Sequence, residues 1–486
     1  MPATGQPSVL IVGTGFGGVG VAIELKRAGF GDITLLEKAG DIGGVWRENT
    51  YPGAGCDIPS PYYSFSYEPN PDWPMRFSLR ADIQDYLRRT ADKYGITEHI
   101  RFNTEVTAAA FDAEAGLWRV ETSTGETYEA NVFVPAVGQL SRPALPSLPG
   151  QETFAGQSFH SALWDHDCDL TGKRVAVIGT GASAIQFVPR IQPKVAALTL
   201  FQRTAPYVVP KPDTVYRPWQ LALYRRLPRT QLAERGFFWG LCEFATVGLK
   251  GNTAITKGVQ WLSRALRNKQ IKDPQLRAKL TPDYPPGCKR VLFASDYYPA
   301  VAAANVTLET GRIAEITPSG VRTAAGVEHP ADVIIYATGF RTTEFLGPMK
   351  VLGLDGRDLR EHWSNGARAY LGITVAGFPN MFLMYGPNTN LGCGSIIYML
   401  ERQARYIRQA VRHIATVPSY LDVREDVADR FDDEVRRRLS RSVWARCDSW
   451  YRDADGRIPT NWPGLVSEYD RRTRKLNLAD YWVSAP

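Results

Sequence analysis

The stretch Val9-Leu-Ile-Val-Gly13-Thr-Gly15-Phe-Gly17-Gly18 decides the fold of the N-terminal part of this chain. Its apolar run predicts a buried parallel strand, and residues 18–27 predict a helix directly after it. Gly13 allows a tight turn, Gly15 lets the backbone approach a pyrophosphate, and Gly18 lets helix and strand pack closely. The stretch therefore predicts a Rossmann-like fold with dinucleotide phosphates at the helix N-terminus.

A carboxylate follows the next strand. The apolar run Ile33–Leu36 ends at Glu37, close to the spacing of about 20 residues beyond the glycines that the fingerprint expects. A carboxylate in this place accepts hydrogen bonds from ribose hydroxyls. Strand, glycine turn, helix, strand and carboxylate together predict a bound dinucleotide rather than a glycine-rich turn without a ligand.

A second fingerprint follows the predicted strand Arg174–Ile178. It consists of the residues Gly179, Thr180, Gly181, Ser183 and Ala184, and the motif permits alanine as its last member. Two dinucleotide sites in one chain indicate two redox cofactors.

The second site lacks the carboxylate of the first. Its second strand, Leu198–Phe201, is followed by Gln202-Arg203-Thr204. By count from the first glycine Arg203 takes the place of Glu37, whereas by strand pattern Gln202 does. A carboxylate would repel a 2′-phosphate, and an arginine can hold one with two parallel hydrogen bonds. The second site is therefore expected to prefer NADPH over NADH.

Composition narrows the class of protein. The 486 residues suffice for roughly three domains, and 44% hydrophobic residues allow a large core. The net charge of +7 is spread along the chain, so it gives no argument for nucleic acid binding. No signal peptide is visible. The most apolar stretch, 237–249, is interrupted by Glu243 and is too short for the roughly 20 apolar residues of a transmembrane helix.

The cysteines predict neither disulfides nor a metal site. They form no CxxC pair and no metal-ligand spacing, at positions Cys56, Cys168, Cys242, Cys288, Cys393 and Cys447. We therefore expect reduced thiols in a reducing compartment, and a cytoplasmic protein.

The order of strand and helix patterns predicts an α/β protein with two Rossmann-like domains. Residues 1–145 form the first, and the chain rejoins it over 340–486. Residues 150–205 and 286–339 form the second. Residues 206–285 break the strand–helix rhythm and predict a helical insertion. Its aromatic residues indicate helix packing or an apolar substrate pocket: Trp219, Phe237, Phe238, Trp239, Phe244 and Trp261.

Further residues point to chemistry beside a flavin ring. Gly43-Gly44-Val45-Trp46 follows the first carboxylate, where a dithiol reductase would need a redox cysteine pair, and Cys56 has no partner nearby. Asp57, in a Gly/Pro-rich loop, taken alone is a turn carboxylate, but alongside Arg290 we interpret it as functional. A fixed arginine charge suits the stabilisation of an oxygen anion.

The segment between the fingerprints carries the pattern FxGxxxHxxxW followed by P or D, as Phe154, Gly156, His160, Trp164 and Asp165. In this the chain resembles the type I Baeyer–Villiger monooxygenases, class B flavoprotein monooxygenases that depend on FAD and NADPH. The resemblance runs nearly end to end and includes further segments: 51–57, 138–141, 201–204, 289–290, 337–340 and 449–451. The relatives that oxidise nitrogen or sulfur usually carry another aromatic residue in place of that tryptophan.

The resemblance implies roles for residues. Arg290 would stabilise a flavin C4a-peroxide, and Asp57 would pair with it. FAD would contact Gly13, Gly15, Gly18, Glu37, Gly44, Trp46, Asp57, Tyr63 and Val106. NADPH would contact Gly179, Thr180, Gly181, Ser183, Arg203, Thr204, Lys289, Arg290 and, from a mobile loop, Trp450. We interpret the motif residues, His160 included, as structural coupling between domains. One departure is Gly55, where the family often has arginine.

The implied reaction is the NADPH- and O2-dependent oxidation of a small apolar ketone to an ester or lactone, without a metal. Two alternatives stay open: an S- or N-oxidising monooxygenase of the same group, and a flavin-binding redox sensor without oxygenase turnover. The sequence favours neither a monomer nor a homo-oligomer.

Overall fold

The first glycine turn lies at the carboxyl end of a central strand in a four-stranded parallel sheet. The computed structural model describes residues 6–251, 253–416 and 420–484. The strands lie in the order Ile100–Arg101, Ile33–Leu36, Val9–Val12 and Val132–Pro135. Every neighbouring pair is parallel. The two central strands are apolar and buried apart from the half-buried Thr34, as expected for a parallel sheet covered on both faces.

The second glycine turn lies in a five-stranded parallel sheet. Its strand order is Val306–Glu309, Ala197–Phe201, Arg174–Ile178, Val333–Tyr336 and Gln157–His160. The α/β class with two parallel sheets is as predicted from the sequence. Strands and helices of the two sheets form separate hydrophobic cores.

The C-terminal part of the chain returns to the first sheet. The Phe382 N–H donates to the Phe133 carbonyl oxygen at 2.9 Å. The long helix Ile396–Thr416 packs on Phe16–Arg27, the helix that follows the first glycine turn. The strand Lys350–Leu352 pairs in parallel with Val106–Asp112. Residues far apart in sequence thus build one body around the first sheet.

The remaining elements are smaller. A mixed sheet has the order Lys350–Leu352, Val106–Asp112, Leu117–Thr122 and Thr127–Ala130, and an antiparallel sheet has the order Ile313–Thr317, Gly320–Thr323 and Glu328–Pro330. Tyr420–Val423 pairs with Tyr481–Ser484. Further helices are Val45–Glu48, Arg80–Lys93, Ala182–Ile191, Tyr297–Val301, Leu359–His362, Glu425–Leu439 and Val466–Thr473.

Residues 206–285 are mainly helical in their described part. The helices are Pro218–Arg226, Pro228–Leu249, Thr253–Gln270 and Pro274–Lys279. A short parallel strand pair, Val208–Val209 with Leu292–Phe293, joins the entry of this segment to its exit. The pairing fixes the chain immediately after Lys289-Arg290, and so helps to position both cations.

Four aromatic residues of the helical segment face solvent. Trp219, Phe237, Phe244 and Trp261 keep 61%, 66%, 61% and 66% of their surface exposed. The expectation that they are buried by helix packing is therefore wrong for these four, and a role in a substrate pocket stays a prediction. Within the described ranges, no helix has the length and apolar character needed to cross a membrane.

Candidate active site

The first glycine turn is a cradle made of backbone. Gly13 has φ +100°, and a Cβ there would lie 2.8 Å from the Ala136 carbonyl oxygen. A Cβ on Gly18 would overlap the Gly13 carbonyl oxygen, which shows how closely helix and strand approach. Gly15 is the N-cap of the helix Phe16–Arg27 and brings no side chain to its N-terminus. The first N–H groups of this helix therefore face a space that suits a phosphate.

Glu37 closes this cradle with a buried carboxylate. The residue is only 6% exposed. Its Oε2 accepts hydrogen bonds from the Thr14 N–H at 2.9 Å and the Thr14 hydroxyl at 2.7 Å, and its Oε1 accepts from the Ala39 N–H at 3.0 Å. These donors hold the carboxylate at the end of its strand, with a lone pair left on Oε1 for a ribose hydroxyl.

An aromatic pair lies beyond the cradle. The Trp46 Nε1–H donates to the Tyr63 hydroxyl at 3.2 Å, and the two rings meet edge to face with centroids 5.6 Å apart. Burial raises the pKa of Tyr63 well above its ordinary value, so its hydroxyl stays neutral.

Gly44, with φ +53°, brings this segment against Gly15, whose Cα would lie 3.1 Å from a Cβ on Gly44. Val106 is buried at the start of a strand of the mixed sheet, and its role stays a prediction.

Arg290 and Asp57 form a bidentate ion pair. The Nη2 of Arg290 donates to Oδ1 and Oδ2 of Asp57 at 2.8 and 2.7 Å, and its Nε donates to Oδ2 at 3.0 Å. The Arg290 side chain is 29% exposed and the Asp57 side chain 23% exposed. The pair is therefore partly open to solvent and lies at the wall of an opening. The Asp57 charge raises the pKa of Arg290 above its already high value. The guanidinium is thus charged at every working pH and held in one orientation.

Two tyrosines lie near this ion pair, Tyr451 buried and Tyr385 half-buried. Burial raises the pKa of Tyr451 to about 12, although the nearby Arg290 charge opposes the shift. Burial also raises the pKa of Tyr385, whose hydroxyl donates to Asn390 Oδ1 at 2.7 Å. Both hydroxyls are therefore neutral and add no competing charge beside the cation.

The second glycine turn repeats the backbone cradle. Gly179 has φ +110°, and a Cβ there would overlap the Ala337 carbonyl oxygen. Gly181 is the N-cap of the helix Ala182–Ile191 and faces open space. Thr180 donates to the Thr204 carbonyl oxygen at 3.4 Å, and Ser183 lies near the Tyr51 hydroxyl.

Two cations without carboxylate partners lie together beside the second cradle. Among the described residues, neither Arg203 nor Lys289 has an ion-pair partner within 4.0 Å. Burial and the Arg203 charge lower the pKa of Lys289, and its Nζ lies 4.9 Å above the Tyr284 ring. Such mutual repulsion is relieved by a bound dianion such as a 2′-phosphate.

Gln186 joins the two halves of the site, and we did not identify it from the sequence. It lies on the helix of the second cradle and accepts from the Tyr51 hydroxyl through Oε1 at 2.9 Å. Its Nε2 donates to the Gly55 carbonyl oxygen, also at 2.9 Å. The loop that carries Asp57 is thereby tied to the second nucleotide fold. A lone glutamine within a helix gives no sequence signal for such a role.

Gly55 itself lies in a narrow place. A Cβ there would lie 3.2 Å from both the Ser78 carbonyl oxygen and the Leu79 side chain. Its backbone forms an isolated antiparallel bridge with Leu79 in this place.

One disulfide overturns the expectation that every cysteine is a free thiol. Cys288 and Cys447 are bonded across 159 residues of sequence, while Cys56, Cys168, Cys242 and Cys393 are free. No spacing rule predicts a pair so distant, because only the fold brings the two loops together. The bond ties the segment of Lys289 and Arg290 to the loop of Trp450, whose side chain is 40% exposed.

The residues of the FxGxxxHxxxW pattern line the side of the second fold. The Trp164 ring packs against Phe187 of the second cradle's helix, with centroids 5.3 Å apart. His160 accepts from the Ala162 N–H through Nδ1 at 3.1 Å, and burial lowers its pKa. A neutral, buried ring of this kind suits packing rather than proton transfer. The other members hold backbone contacts: Gly156 lies against the Asp332 carbonyl oxygen and Phe154, and Asp165 accepts from the Asp167 N–H.

The family model and the curated relatives that match this chain are all monooxygenases. A family model described as FMO-like, flavin-binding monooxygenase-like, matches residues 6–236. A Baeyer–Villiger monooxygenase of Streptomyces coelicolor is 46% identical over 482 residues, covering 98% of this chain and 93% of that protein. Another of Pseudomonas aeruginosa is 45% identical, covering 98% of this chain and 91% of that protein.

Solved structures of similar fold match this chain over almost its whole length. An oxidised steroid monooxygenase bound to NADP has a TM-score of 0.88 at 27% identity, covering 99% of this chain and 100% of that one. A closed cyclohexanone monooxygenase has the same TM-score and identity, covering 100% of both chains. With identity of 46% extending over almost its full length, the chain belongs to the Baeyer–Villiger monooxygenases of the flavin-binding monooxygenase family.

Proposed function

We propose that this chain binds FAD at the first glycine cradle and NADPH at the second, and that it uses both with O2 to convert apolar ketones into esters or lactones. The observation that carries the proposal is the Arg290–Asp57 ion pair. Asp57 belongs to the loop that is bonded to the second fold through Gln186, and Arg290 follows the lysine beside Arg203. One fixed cation is thus connected to both cradles.

The residues of the first cradle fit a flavin dinucleotide. Gly13, Gly15 and Gly18 leave the helix N-terminus to a pyrophosphate, and the Glu37 carboxylate suits ribose hydroxyls. Beyond them, Gly44 lies directly against Gly15, and Trp46 and Tyr63 follow as the side chains proposed to contact the flavin ring. Tyr63 is neutral and its hydroxyl oxygen accepts from Trp46, so its own proton is available to a ring acceptor.

The residues of the second cradle fit NADPH. Gly181 faces open space, and the two unpaired cations Arg203 and Lys289 suit a 2′-phosphate better than a ribose hydroxyl. Thr204 and Trp450 complete the predicted set on the neighbouring strand end and loop. We assign the FAD domain to 1–145 with 340–486, the NADPH domain to 150–205 with 286–339, and the helical insertion to 206–285.

The chain's own residues hold a fixed charge. When bound, FAD accepts hydride from NADPH and activates O2. The Arg290 guanidinium stabilises negative charge that develops on oxygen during the reaction, because its orientation is fixed in advance by Asp57. Tyr385 and Tyr451 lie nearby as neutral side chains, so no second charge competes with the guanidinium there. Removal of such a fixed charge costs about a hundredfold to a thousandfold in rate.

The substrate is proposed as a class. Two structural relatives are named for a cyclohexanone and for a steroid, which differ greatly in size, so for this chain we propose an apolar ketone and O2 without a ring size. The predicted cytoplasmic location is supported by the four free cysteines. The single disulfide counts against it, because disulfides are uncommon in that compartment.

The test supplies the purified, FAD-loaded protein with NADPH, a panel of cyclic, linear and steroid ketones, and one thioether. Esters or lactones heavier than the ketone by one oxygen are the expected products. Sulfoxide alone would instead identify an S-oxidising enzyme. NADPH loss that yields only hydrogen peroxide with every compound would contradict the ketone assignment.

A further inference from the structure

The helix Pro228–Leu249 presents an apolar face to solvent. Between Leu232 and Lys250 every exposed residue is apolar, and all of them lie on one side of the helix: Ala233, Gly236, Phe237, Leu241, Phe244 and Val247. The face is about 21 Å long at 1.5 Å per residue. Phe237, Leu241 and Phe244 keep 66%, 51% and 61% of their surface exposed.

Three of the four charged residues of the same helix point the other way, into the protein, whereas Arg229 near its N-terminus is exposed. The Glu234 carboxylate accepts from Arg76 and Tyr216, each at 3.1 Å. Glu243 accepts from the Val466 N–H at 2.7 Å, and Arg235 donates to the Pro61 carbonyl oxygen at 2.8 Å. An ordinary surface helix has the opposite arrangement. The inward ion pairs and hydrogen bonds therefore fix the rotation of the helix, and this rotation turns the apolar face outward.

The next helix, Thr253–Gln270, adds a basic border. Trp261 is 66% exposed, with Lys257 one turn before it and Arg264 one turn after it, both exposed. Neither cation has an ion pair with any carboxylate in the described part of the chain. An exposed tryptophan between lysine and arginine is typical of a membrane–water interface.

The interpretation that the charge is spread along the chain is wrong, because the positive charge is concentrated in this segment. Residues 206–285 contain 14 lysines and arginines and 5 aspartates and glutamates, a net charge of +9. The whole chain carries +7, so the remainder is slightly negative. The apolar face thus lies within the one strongly basic region of the protein.

A basic cavity adjoins this region. Arg264, Arg267 and Arg277 line a cavity of about 490 Å³ together with Gln260, Asn268 and Thr281. No carboxylate lines it, and the buried Arg267 Nε has no hydrogen-bond partner among the described residues. The cavity suits an anionic phosphate group.

We propose that the apolar face of Pro228–Leu249 and the basic border around Trp261 dock on an anionic lipid bilayer. Phe237, Leu241, Phe244 and Trp261 would enter the interface, while Lys257, Arg264 and the arginine cavity would meet lipid phosphates. A second copy of the chain is a poorer occupant, because two such faces would bring two +9 segments together. An anionic surface instead attracts each basic side chain.

The test measures sedimentation of the full FAD-loaded chain with vesicles of phosphatidylglycerol and phosphatidylcholine, and with phosphatidylcholine vesicles alone. Binding is expected to the anionic vesicles and to weaken as salt is raised. The double variant Phe237→Ser, Phe244→Ser is expected to lower partitioning at least about tenfold, since each ring would otherwise enter the interface. Lys257→Gln with Arg264→Gln should lower it by roughly fivefold per charge.

Val327→Ser is the matched control. Val327 is 51% exposed but lies on the turn before Glu328–Pro330, outside the helical segment, so its replacement should leave vesicle binding unchanged. Equal binding to neutral and anionic vesicles, or no binding to either, would overturn the proposal. So would a dimer that the phenylalanine variant separates, because the face would then belong to a second copy. Unfolding temperatures of all variants verify that each one folds.

Discussion

The two glycine cradles share one backbone design and differ in how they end. Each consists of a parallel strand, a left-handed glycine, a glycine N-cap and a helix. The first ends at Glu37, which is buried and holds three hydrogen bonds. In the second the strand is followed by Gln202, which takes the place of Glu37 and is buried like it, and then by Arg203, which is exposed and has no ion pair with a described carboxylate. The buried carboxylate of the first cradle is therefore replaced by a buried neutral amide in the second, and an exposed cation follows it.

This difference separates a retained cofactor from an exchanged one. A buried, prearranged carboxylate favours slow release because its hydrogen-bonding groups must be desolvated and re-satisfied when the ligand leaves. Exposed cations attract a phosphate from solution quickly and release it without unfolding the site. We expect FAD to stay bound through purification, and NADPH to enter and leave with each turnover.

The largest expected effect concerns the cation that is connected to both cradles. Arg290→Ala should lower ester formation by about a hundredfold to a thousandfold, whereas reduction of the bound flavin by NADPH should change far less. Product analysis and anaerobic flavin absorbance measure the two steps separately. Arg290→Lys is the matched control and should recover only part of the rate, because an ammonium cannot form the bidentate pair with Asp57. Normal ester yield from the alanine variant would refute this role.

The second effect tests the charge of the NADPH cradle. Arg203→Ala should lower the ratio of kcat/KM for NADPH to kcat/KM for NADH. The loss should correspond to about 1.5–3 kcal/mol of transition-state stabilisation, the range for one hydrogen bond to a charged group. Steady-state kinetics with both cofactors measures the ratio. Arg312→Ala removes another exposed arginine without an ion pair among the described residues, and should leave it unchanged. An unaltered preference in Arg203→Ala would remove the distinction between the two cradles.

The third effect tests burial in the FAD cradle. Glu37→Gln places an amide where two donors of Thr14 and one of Ala39 now point, so at least one buried N–H or O–H loses its acceptor. The expected loss is about 1–3 kcal/mol in FAD affinity, measured by titrating the apoprotein with FAD. The preference for NADPH over NADH should not change. FAD affinity equal to that of the parent would show that the buried carboxylate does not retain the cofactor.

A smaller effect depends on pH. Burial and the Arg203 charge lower the pKa of Lys289, so this lysine loses its proton at a lower pH than an exposed lysine. The charged form binds the phosphate, and KM for NADPH should therefore rise as pH increases towards that depressed pKa. Lys289→Arg, whose guanidinium stays protonated, should flatten the profile. The same rise in the arginine variant would assign the titration to another group.

The smallest effect concerns the disulfide beside the second cradle. Cys447→Ser frees the Trp450 loop from the segment of Lys289, so KM for NADPH should rise slightly while FAD affinity stays constant. Thiol titration of the denatured, unreduced parent should count the four free cysteines. A count of six would contradict the bond.

Sequence reasoning reached the two cradles because their signals are local. The strands Val9–Val12 and Ile33–Leu36 lie where the apolar runs predict them, and glycines with positive φ lie at Gly13 and Gly179. The proximity of Asp57 and Arg290, which are 233 positions apart, was accessible only through resemblance to a family. No local pattern connects two loops across that distance.

Other features were missed because they depend on tertiary partners. The bridge through Gln186 and the disulfide of Cys288 with Cys447 exist only once distant segments meet. The spacing of Phe237, Leu241 and Phe244 predicts a face that packs inward. That face points outward because Glu234, Arg235 and Glu243 find their partners inside the protein.

One measurement tests the central claim most directly, namely that both cradles serve a single oxygen transfer. The FAD-loaded protein receives NADPH, a ketone that it accepts, and O2 enriched in a heavy oxygen isotope. We predict one heavy oxygen in each ester molecule and one NADPH consumed per ester formed. An unlabelled ester, or NADPH consumption without any ester across the whole ketone panel, would contradict the account.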